Sequence, residues 1–252
     1  MYVGDYIEYN KQENVIESVY ERKNFIVRPP LSNIDKMFVV LAPIPEPDLL
    51  LVDKLLVQCE INNIQPVLVI NKIDLCTHEF LSSITEQYQA VVKIYKTSTL
   101  DSTTVFALRD EMQDNLCIFV GQSAVGKSSL VNVLMPNVGR MIGDISSRTK
   151  RGKNCTRESQ IYLMDNARVA DTTGFSALEV KDIDKEQLND CYLEIKKYSK
   201  KCTYNTCNHY KEAEDICAVK KAVKHGKIPL QRYNRYIKLF EELKKLEDKK
   251  YA

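Results

Sequence analysis

The stretch Gly121-Gln122-Ser123-Ala124-Val125-Gly126-Lys127-Ser128 narrows what this chain can fold into more than any other. It fits G-x-x-x-x-G-K-[ST], with the apolar run LCIFV leading in and a helical pattern beginning near Lys127 leading out. The glycines let backbone N–H groups converge on phosphate oxygens. Lys127 is placed to neutralise the β and γ phosphates, the Ser128 hydroxyl to ligate Mg²⁺, and Ser129 is counted with the same loop. The plain alternative is a glycine turn between a strand and a helix.

The rest of the chain supplies the expected surroundings. MFVVLA, PVLVI, AVVKIY and LCIFV are short apolar runs separated by helix-length segments, which predicts an α/β fold with a mostly parallel sheet. SQIYLMD and ARVAD, joined at Asn166, predict an edge hairpin. Residues 1–30 show two strand-like pieces, YVGDYIEY and NVIESVYERKNFIV, followed by Arg28-Pro29-Pro30 as an extended linker. Beyond about Glu179 the strand pattern gives way to lysine-rich helical sequence, and Tyr233, Tyr236, Ile237, Phe240 and Leu243 fall on one helical face. The predicted division is 1–30, 31–180 and 181–252.

A chain of 252 residues with 44% hydrophobic content can bury one sizeable core with small appendages. At a net charge of +2 no bulk polycation argument for nucleic acid is available. The cations are unevenly placed, however. Arg140, Arg148, Lys150, Arg151, Lys153 and Arg157 face Asp144 alone between 140 and 157. No apolar run reaches membrane-spanning length and MYVGDYIEYN lacks a signal-peptide core, so a cytoplasmic chain without membrane partners, a monomer, is expected. Cys59, Cys76, Cys117 and Cys191 read as packing thiols.

Three further motifs belong with the phosphate loop. Asp171-Thr172-Thr173-Gly174 follows the strand ARVAD, with Asp171 expected on the Mg²⁺ side and the Gly174 N–H at the γ-phosphate. The polar, basic segment 139–157 reads as a switch loop in which Thr156 offers Mg²⁺ a second hydroxyl. Asn71-Lys72-Ile73-Asp74 follows the strand PVLVI, and its side chains emerge at the carboxyl edge of the sheet. Guanine presents two adjacent donors, N1–H and the 2-amino group, which the Asp74 carboxylate accepts; adenine presents an acceptor there. Asn71 is expected to tie this loop to the phosphate loop, the Lys72 stem to pack over the base, and Thr97-Ser98 to offer a backbone N–H to guanine O6. The order is base reader, phosphate loop, switch, metal side. A circular permutation of a GTP-binding domain produces that order, because neighbouring termini can be joined and the ring reopened in a surface loop.

Cys202-x4-Cys207-x-His209-x7-Cys217 supplies three thiolates and one imidazole, a set suited to a closed tetrahedral structural Zn²⁺. The alternative is three buried thiols beside a surface histidine.

VGDYIEY, ERKNFIVRPPLSNID, VLVINKIDL, VGQSAVGKSSLVN, the K-R-G-K switch loop, DTTGF and CTYNTCNH together resemble the RsgA (YjeQ) family of circularly permuted GTPases. The resemblance implies an N-terminal OB-fold barrel, a permuted GTPase domain and a C-terminal zinc domain. It also implies GTP hydrolysis to GDP, stimulated by the small ribosomal subunit and its rRNA, late in that subunit's maturation. The chain departs from the family pattern in three places. The barrel reads as truncated. Asn154 of Gly152-Lys153-Asn154-Cys155-Thr156 stands where the family carries the histidine proposed to orient water, with apolar Phe175 after Gly174, so slow turnover is expected. DTTG replaces DTPG. The expected catalytic set is Lys127, Thr156, Gly174 and Asn154, and the alternative is a GTP-gated assembly factor that hydrolyses too slowly to matter.

Overall fold

The computed structural model describes residues 1–27, 29–136, 160–164, 166–171 and 183–250. The chain divides into two compact units. The first comprises Met1–Asp48, Asn62–Cys76 and Ile94–Leu178; the second comprises Leu49–Ile61, Thr77–Lys93 and Glu179–Ala252.

In the first unit, β5 (Lys36–Leu41), β6 (Gln65–Ile70), β7 (Lys93–Lys96), β8 (Leu116–Val120), β9 (Gln160–Met164) and β10 (Ala167–Asp171) form one sheet in the order β7-β6-β5-β8-β10-β9. β5 runs parallel to β6 and β8, and β10 runs parallel to β8, while β9 returns antiparallel to β10 as the predicted hairpin. The central strands are apolar without alternation because both faces are covered: Met37 to Leu41 and Leu116 to Val120 are all buried. Phe38 pairs with Phe119 across β5 and β8, and their rings stack at 4.7 Å. On that face lie Val105 of α3 (Ser102–Phe106), Met112 of α4 (Arg109–Met112) and Leu130 and Leu134 of α5 (Lys127–Leu134).

The N-terminal strands are shorter than predicted. β1 (Ile7–Asn10) and β2 (Val15–Val19) form a two-stranded antiparallel ladder, and β3 (Phe25–Ile26) pairs separately with β4 (Leu31–Ser32). The second predicted piece breaks because two side chains turn inward. Buried Asn24 exchanges hydrogen bonds with the backbone of Ile34, at 2.8 and 2.9 Å, and the Arg22 guanidinium holds Asp5 at 2.7 Å. Between them the Lys23 N–H donates to the Asn33 side chain at 3.0 Å and not to a neighbouring strand. Ile7, Tyr9, Ile16 and Val19 remain exposed.

The second unit is helical: α1 (Leu49–Ile61), α2 (His78–Tyr88), α6 (Leu188–Cys191), α7 (Leu193–Ser199), α8 (Ala218–Lys224) and α9 (Leu230–Lys250). Tyr236, Phe240 and Leu243 of the predicted apolar face are buried, joined by Leu239, and Tyr192 meets Tyr236 edge-on at 5.4 Å. α1 and α2 group with the C-terminal segment, whereas the sequence division at 30 and 180 puts them with the sheet. The cause is a buried ionic cluster within this unit. The fully buried Asp53 of α1 accepts from Arg232 Nη1 at 2.7 Å and Arg235 Nε at 2.6 Å, both from α9, and from the α2 Tyr88 hydroxyl at 2.8 Å. Among the described residues no helix is long and apolar enough to cross a membrane.

Phe38→Ala opens a cavity in the sheet core and is expected to cost about 3–5 kcal/mol, read by denaturant unfolding. A loss under about 1 kcal/mol contradicts the stacked packing described here.

Candidate functional site

The phosphate loop leaves β8 and enters α5 as its motif demands. Two glycines are required by close approach as well as by backbone angle. Gly121 has φ 132°, and a Cβ there would stand 2.2 Å from the Val40 carbonyl oxygen. Gly126 has φ 97°, and a Cβ there would stand 2.4 Å from Asn71 Nδ2. Ala124 also takes a left-handed conformation, at φ 63°. The Lys127 ammonium folds back over the loop, donating to the Gly121 and Gln122 carbonyls at 2.8 and 2.7 Å. Desolvation holds its pKa below the usual lysine value. Gln122 accepts the Asp48 N–H at 3.1 Å, Val125 is buried, and Ser123, Ser128 and Ser129 are exposed.

The segment Asn71–Asp74, expected to read the base, lies against that loop. The buried Asn71 donates from Nδ2 to the Val125 carbonyl at 2.9 Å and accepts the Thr97 hydroxyl at 3.0 Å. Lys72, left-handed at φ 56°, donates to the Ala124 carbonyl at 2.7 Å and to the Ile44 carbonyl at 2.9 Å. The Asp74 carboxylate accepts the Ser98 hydroxyl. Thr97 and Ser98 therefore serve the loop with their hydroxyls. Their N–H groups, expected at guanine O6, are already engaged: Thr97 donates to the Ile70 carbonyl at 2.8 Å and Ser98 to the Thr104 hydroxyl at 2.9 Å. The Ile44 carbonyl and the Thr104 hydroxyl were not legible as site groups, because neither residue type signals the role at that spacing.

Asp171 ends β10, the parallel neighbour of β8, so it lies at the same carboxyl edge of the sheet as the phosphate loop. Asn154, Thr156, Gly174 and the whole predicted switch loop lie outside the described residues.

In the second unit the ligand atoms of Cys202, Cys207, His209 and Cys217 all lie within 4.8 Å of one another. His209 is fully buried, and its Nδ1 sits 3.6, 3.2 and 3.4 Å from the three sulfurs in that order. Burial pushes the Cys207 thiol up to about 12, raises that of Cys217, and pulls His209 down to about 4. Three thiols turned towards one neutral imidazole nitrogen are a donor set that fits a tetrahedral d¹⁰ cation such as Zn²⁺. The surrounding backbone is organised for the cluster. Glu212 accepts the N–H groups of Asn208 and Tyr210 at 2.8 and 2.7 Å, and the Ala218 N–H points to the Cys202 sulfur at 3.3 Å. The Tyr233 hydroxyl holds the His209 carbonyl at 2.7 Å.

Residues 19–181 match the family model described as RsgA GTPase. The chain belongs to the RsgA GTPase family. A small ribosomal subunit biogenesis GTPase RsgA from Geobacillus sp. (strain WCH70) is 39% identical over 96% of this chain and 85% of its own length. Its counterpart from Bacillus subtilis (strain 168) is 36% identical over 96% and 84%. Among solved structures, YjeQ from Thermotoga maritima superposes with a TM-score of 0.83 at 34% identity, covering 96% of this chain and 84% of that one. YloQ, a circularly permuted GTPase, superposes at 0.81 with 32% identity over 97% and 81%. The RsgA match contains the base reader, the phosphate loop and Asp171; the Cys₃His cluster lies beyond it.

Two outcomes follow from this geometry. Gly126→Ala forces its methyl group into Asn71 and is expected to weaken GDP binding by at least about tenfold in calorimetry, a loss of roughly 1.4 kcal/mol; unchanged affinity contradicts the close approach. In the metal-free protein, His209 is held neutral down to about 4 against an ordinary 6.5. Its contribution to stability is whole above pH 6.5 and is lost as pH falls towards 4, since the unfolded chain then binds the extra proton. The melting temperature in chelator is expected to drop between pH 7 and 5, and a flat profile contradicts this.

Proposed function

We propose that this RsgA-family chain binds GTP with Mg²⁺ at the carboxyl edge of its sheet, hydrolyses it to GDP and phosphate, and does so on the small ribosomal subunit during late maturation. One observation carries the reading: the Asn71 carboxamide joins the base-reading segment to the phosphate loop at 2.9 Å, so both ends of a guanine nucleotide meet one connected surface. Asp74 accepts the N1–H and 2-amino group of guanine. Because the N–H groups of Thr97 and Ser98 are engaged, the O6 contact passes to the next residue, Thr99, whose N–H has no partner among the described residues. Lys127 and the N–H groups of 121–128 hold the β and γ phosphates, with Ser128, Thr156 and Asp171 around Mg²⁺. Cys202, Cys207, His209 and Cys217 hold a structural Zn²⁺, which supplies the cross-link that a short helical segment otherwise lacks.

The segments divide the work as 1–30, 31–180 and 181–252. The basic stretch Arg140–Arg157 meets rRNA phosphates and orders when the γ-phosphate is present. The chain acts in the cytoplasm, as a monomer. A second reading is favoured by one residue: Asn154 exchanges hydrogen bonds with water but takes no proton, which fits a GTP-gated assembly factor with very slow turnover.

Single-turnover GTP hydrolysis with purified small subunits decides between them. The enzyme reading expects a large stimulation, and Asn154→His is expected to raise the subunit-stimulated rate by roughly a hundredfold, the lower end of the range for a positioned acid–base group. Equal rates with and without subunits contradict the enzyme reading.

A further inference from the structure

His209, in the second unit, takes a left-handed backbone conformation at φ 58°. That state is uncommon outside glycine and persists only where the surroundings determine it. The imidazole is fully buried, with Nδ1 turned to the sulfurs of Cys202, Cys207 and Cys217. The other ring nitrogen, Nε2, has no hydrogen-bond partner among the described residues. A metal-binding histidine is ordinarily aimed by a bond from that second nitrogen to a carboxylate or a carbonyl. Here no described protein group accepts it, so the aim of the ring is set through the backbone instead.

That backbone is held on both sides. The half-buried Glu212 accepts the Asn208 N–H on Oε1 at 2.8 Å and the Tyr210 N–H on Oε2 at 2.7 Å. These are the amides before and after His209, and N–H groups converging around a left-handed residue form a concavity suited to an anion. The carbonyls of the same three residues are fastened from helices. Tyr236 of α9 donates to the Asn208 carbonyl at 2.8 Å, Tyr233 to that of His209 at 2.7 Å, and Lys220 of α8 to that of Tyr210 at 3.0 Å. Lys220 also donates to the Glu212 carbonyl at 2.6 Å, which fixes the start of the clamp's own arm. The helix side chains locate the segment, whereas the Glu212 carboxylate joins the two amides whose directions define the left-handed turn.

We propose that Glu212 is a positioning residue for the metal: by binding the amides on either side of His209 it holds that residue left-handed, and so presents Nδ1 to a cation held by the three thiolates. This rests on the reading that the Cys₃His cluster binds Zn²⁺. Glu212 is not itself a ligand, because each of its carboxylate oxygens is engaged by a backbone N–H. Glutamine at this position keeps one acceptor oxygen and sets an NH₂ donor against the other amide, so Glu212→Gln opens the clamp with little change in volume.

The test titrates the full chain with Zn²⁺ in competition with a chromophoric chelator. Glu212→Gln is expected to weaken Zn²⁺ binding by roughly ten- to a hundredfold, the range for loss of a group that orients a metal ligand. Unchanged affinity overturns the proposal. A double-variant cycle with His209→Ala separates aiming the imidazole from merely supporting the loop. If Glu212 acts through His209, Glu212→Gln changes Zn²⁺ affinity by less than about twofold once the imidazole is gone. The same loss with and without His209 marks a structural role and overturns the proposal. Glu212→Asp, which keeps the charge on a shorter arm, takes the same place in the cycle should Glu212→Gln fail to fold. Cys207→Ser separates the two levels: weakened Zn²⁺ binding there upholds the metal-site reading whatever Glu212 does, and wild-type affinity overturns that reading and this proposal together.

Discussion

The candidate nucleotide site depends on one buried side chain. Asn71 is 1% exposed and spends both ends of its carboxamide inside the protein, on the Val125 carbonyl and the Thr97 hydroxyl. In a low-dielectric interior such bonds are costly to leave unmade. The three segments that meet there, after β6, after β7 and after β8, are thereby held in one arrangement without any ligand. The absent side chain of Gly126 is the counterpart of this contact, since a methyl group there would stand 2.4 Å from the Asn71 nitrogen.

That constraint is indifferent to chain order. What the site needs is that the strands ending in Asn71, Gly121 and Asp171 lie in one sheet with their carboxyl ends together, and the strand order β7-β6-β5-β8-β10-β9 satisfies this although β6 precedes β8 in sequence. Moving the starting point has a structural consequence. The helices around the base reader become the early part of the chain, and they assemble with its last part through Asp53, Arg232 and Arg235. Along the chain, Asn62–Cys76 thus lies between segments of the unit that carries the Cys₃His cluster.

Much of the site was legible because its chemistry is written in residue types at fixed spacing. Gly121 to Ser128, Asn71 to Asp74 and the Cys₃His set each name their own atoms. The buried parallel strands were legible too, as runs without alternation. Other features depend on contacts between distant residues, and local pattern misjudged them. The strand predicted through Val27 ends at Val19 because Asn24 and Arg22 find partners at Ile34 and Asp5. The N–H groups of Thr97 and Ser98, expected at guanine O6, are bonded to Ile70 and Thr104, partners that no local pattern shows. The Asp53 cluster left one trace in the sequence, an acid set between apolar residues in the first half of the helix LLLVDKLLVQCEI, a residue type seldom fully buried unless paired.

The account stands on Asp74 reading guanine from a position early in the chain, ahead of the phosphate loop. Calorimetric titration of Asp74→Asn with GDP and XDP tests this most directly, because asparagine offers a donor to the 2-oxo group of xanthine where aspartate accepts from the 2-amino group of guanine. The expected result is an inverted preference, with the wild-type protein selecting GDP and the variant selecting XDP. A variant that still prefers GDP contradicts the assignment.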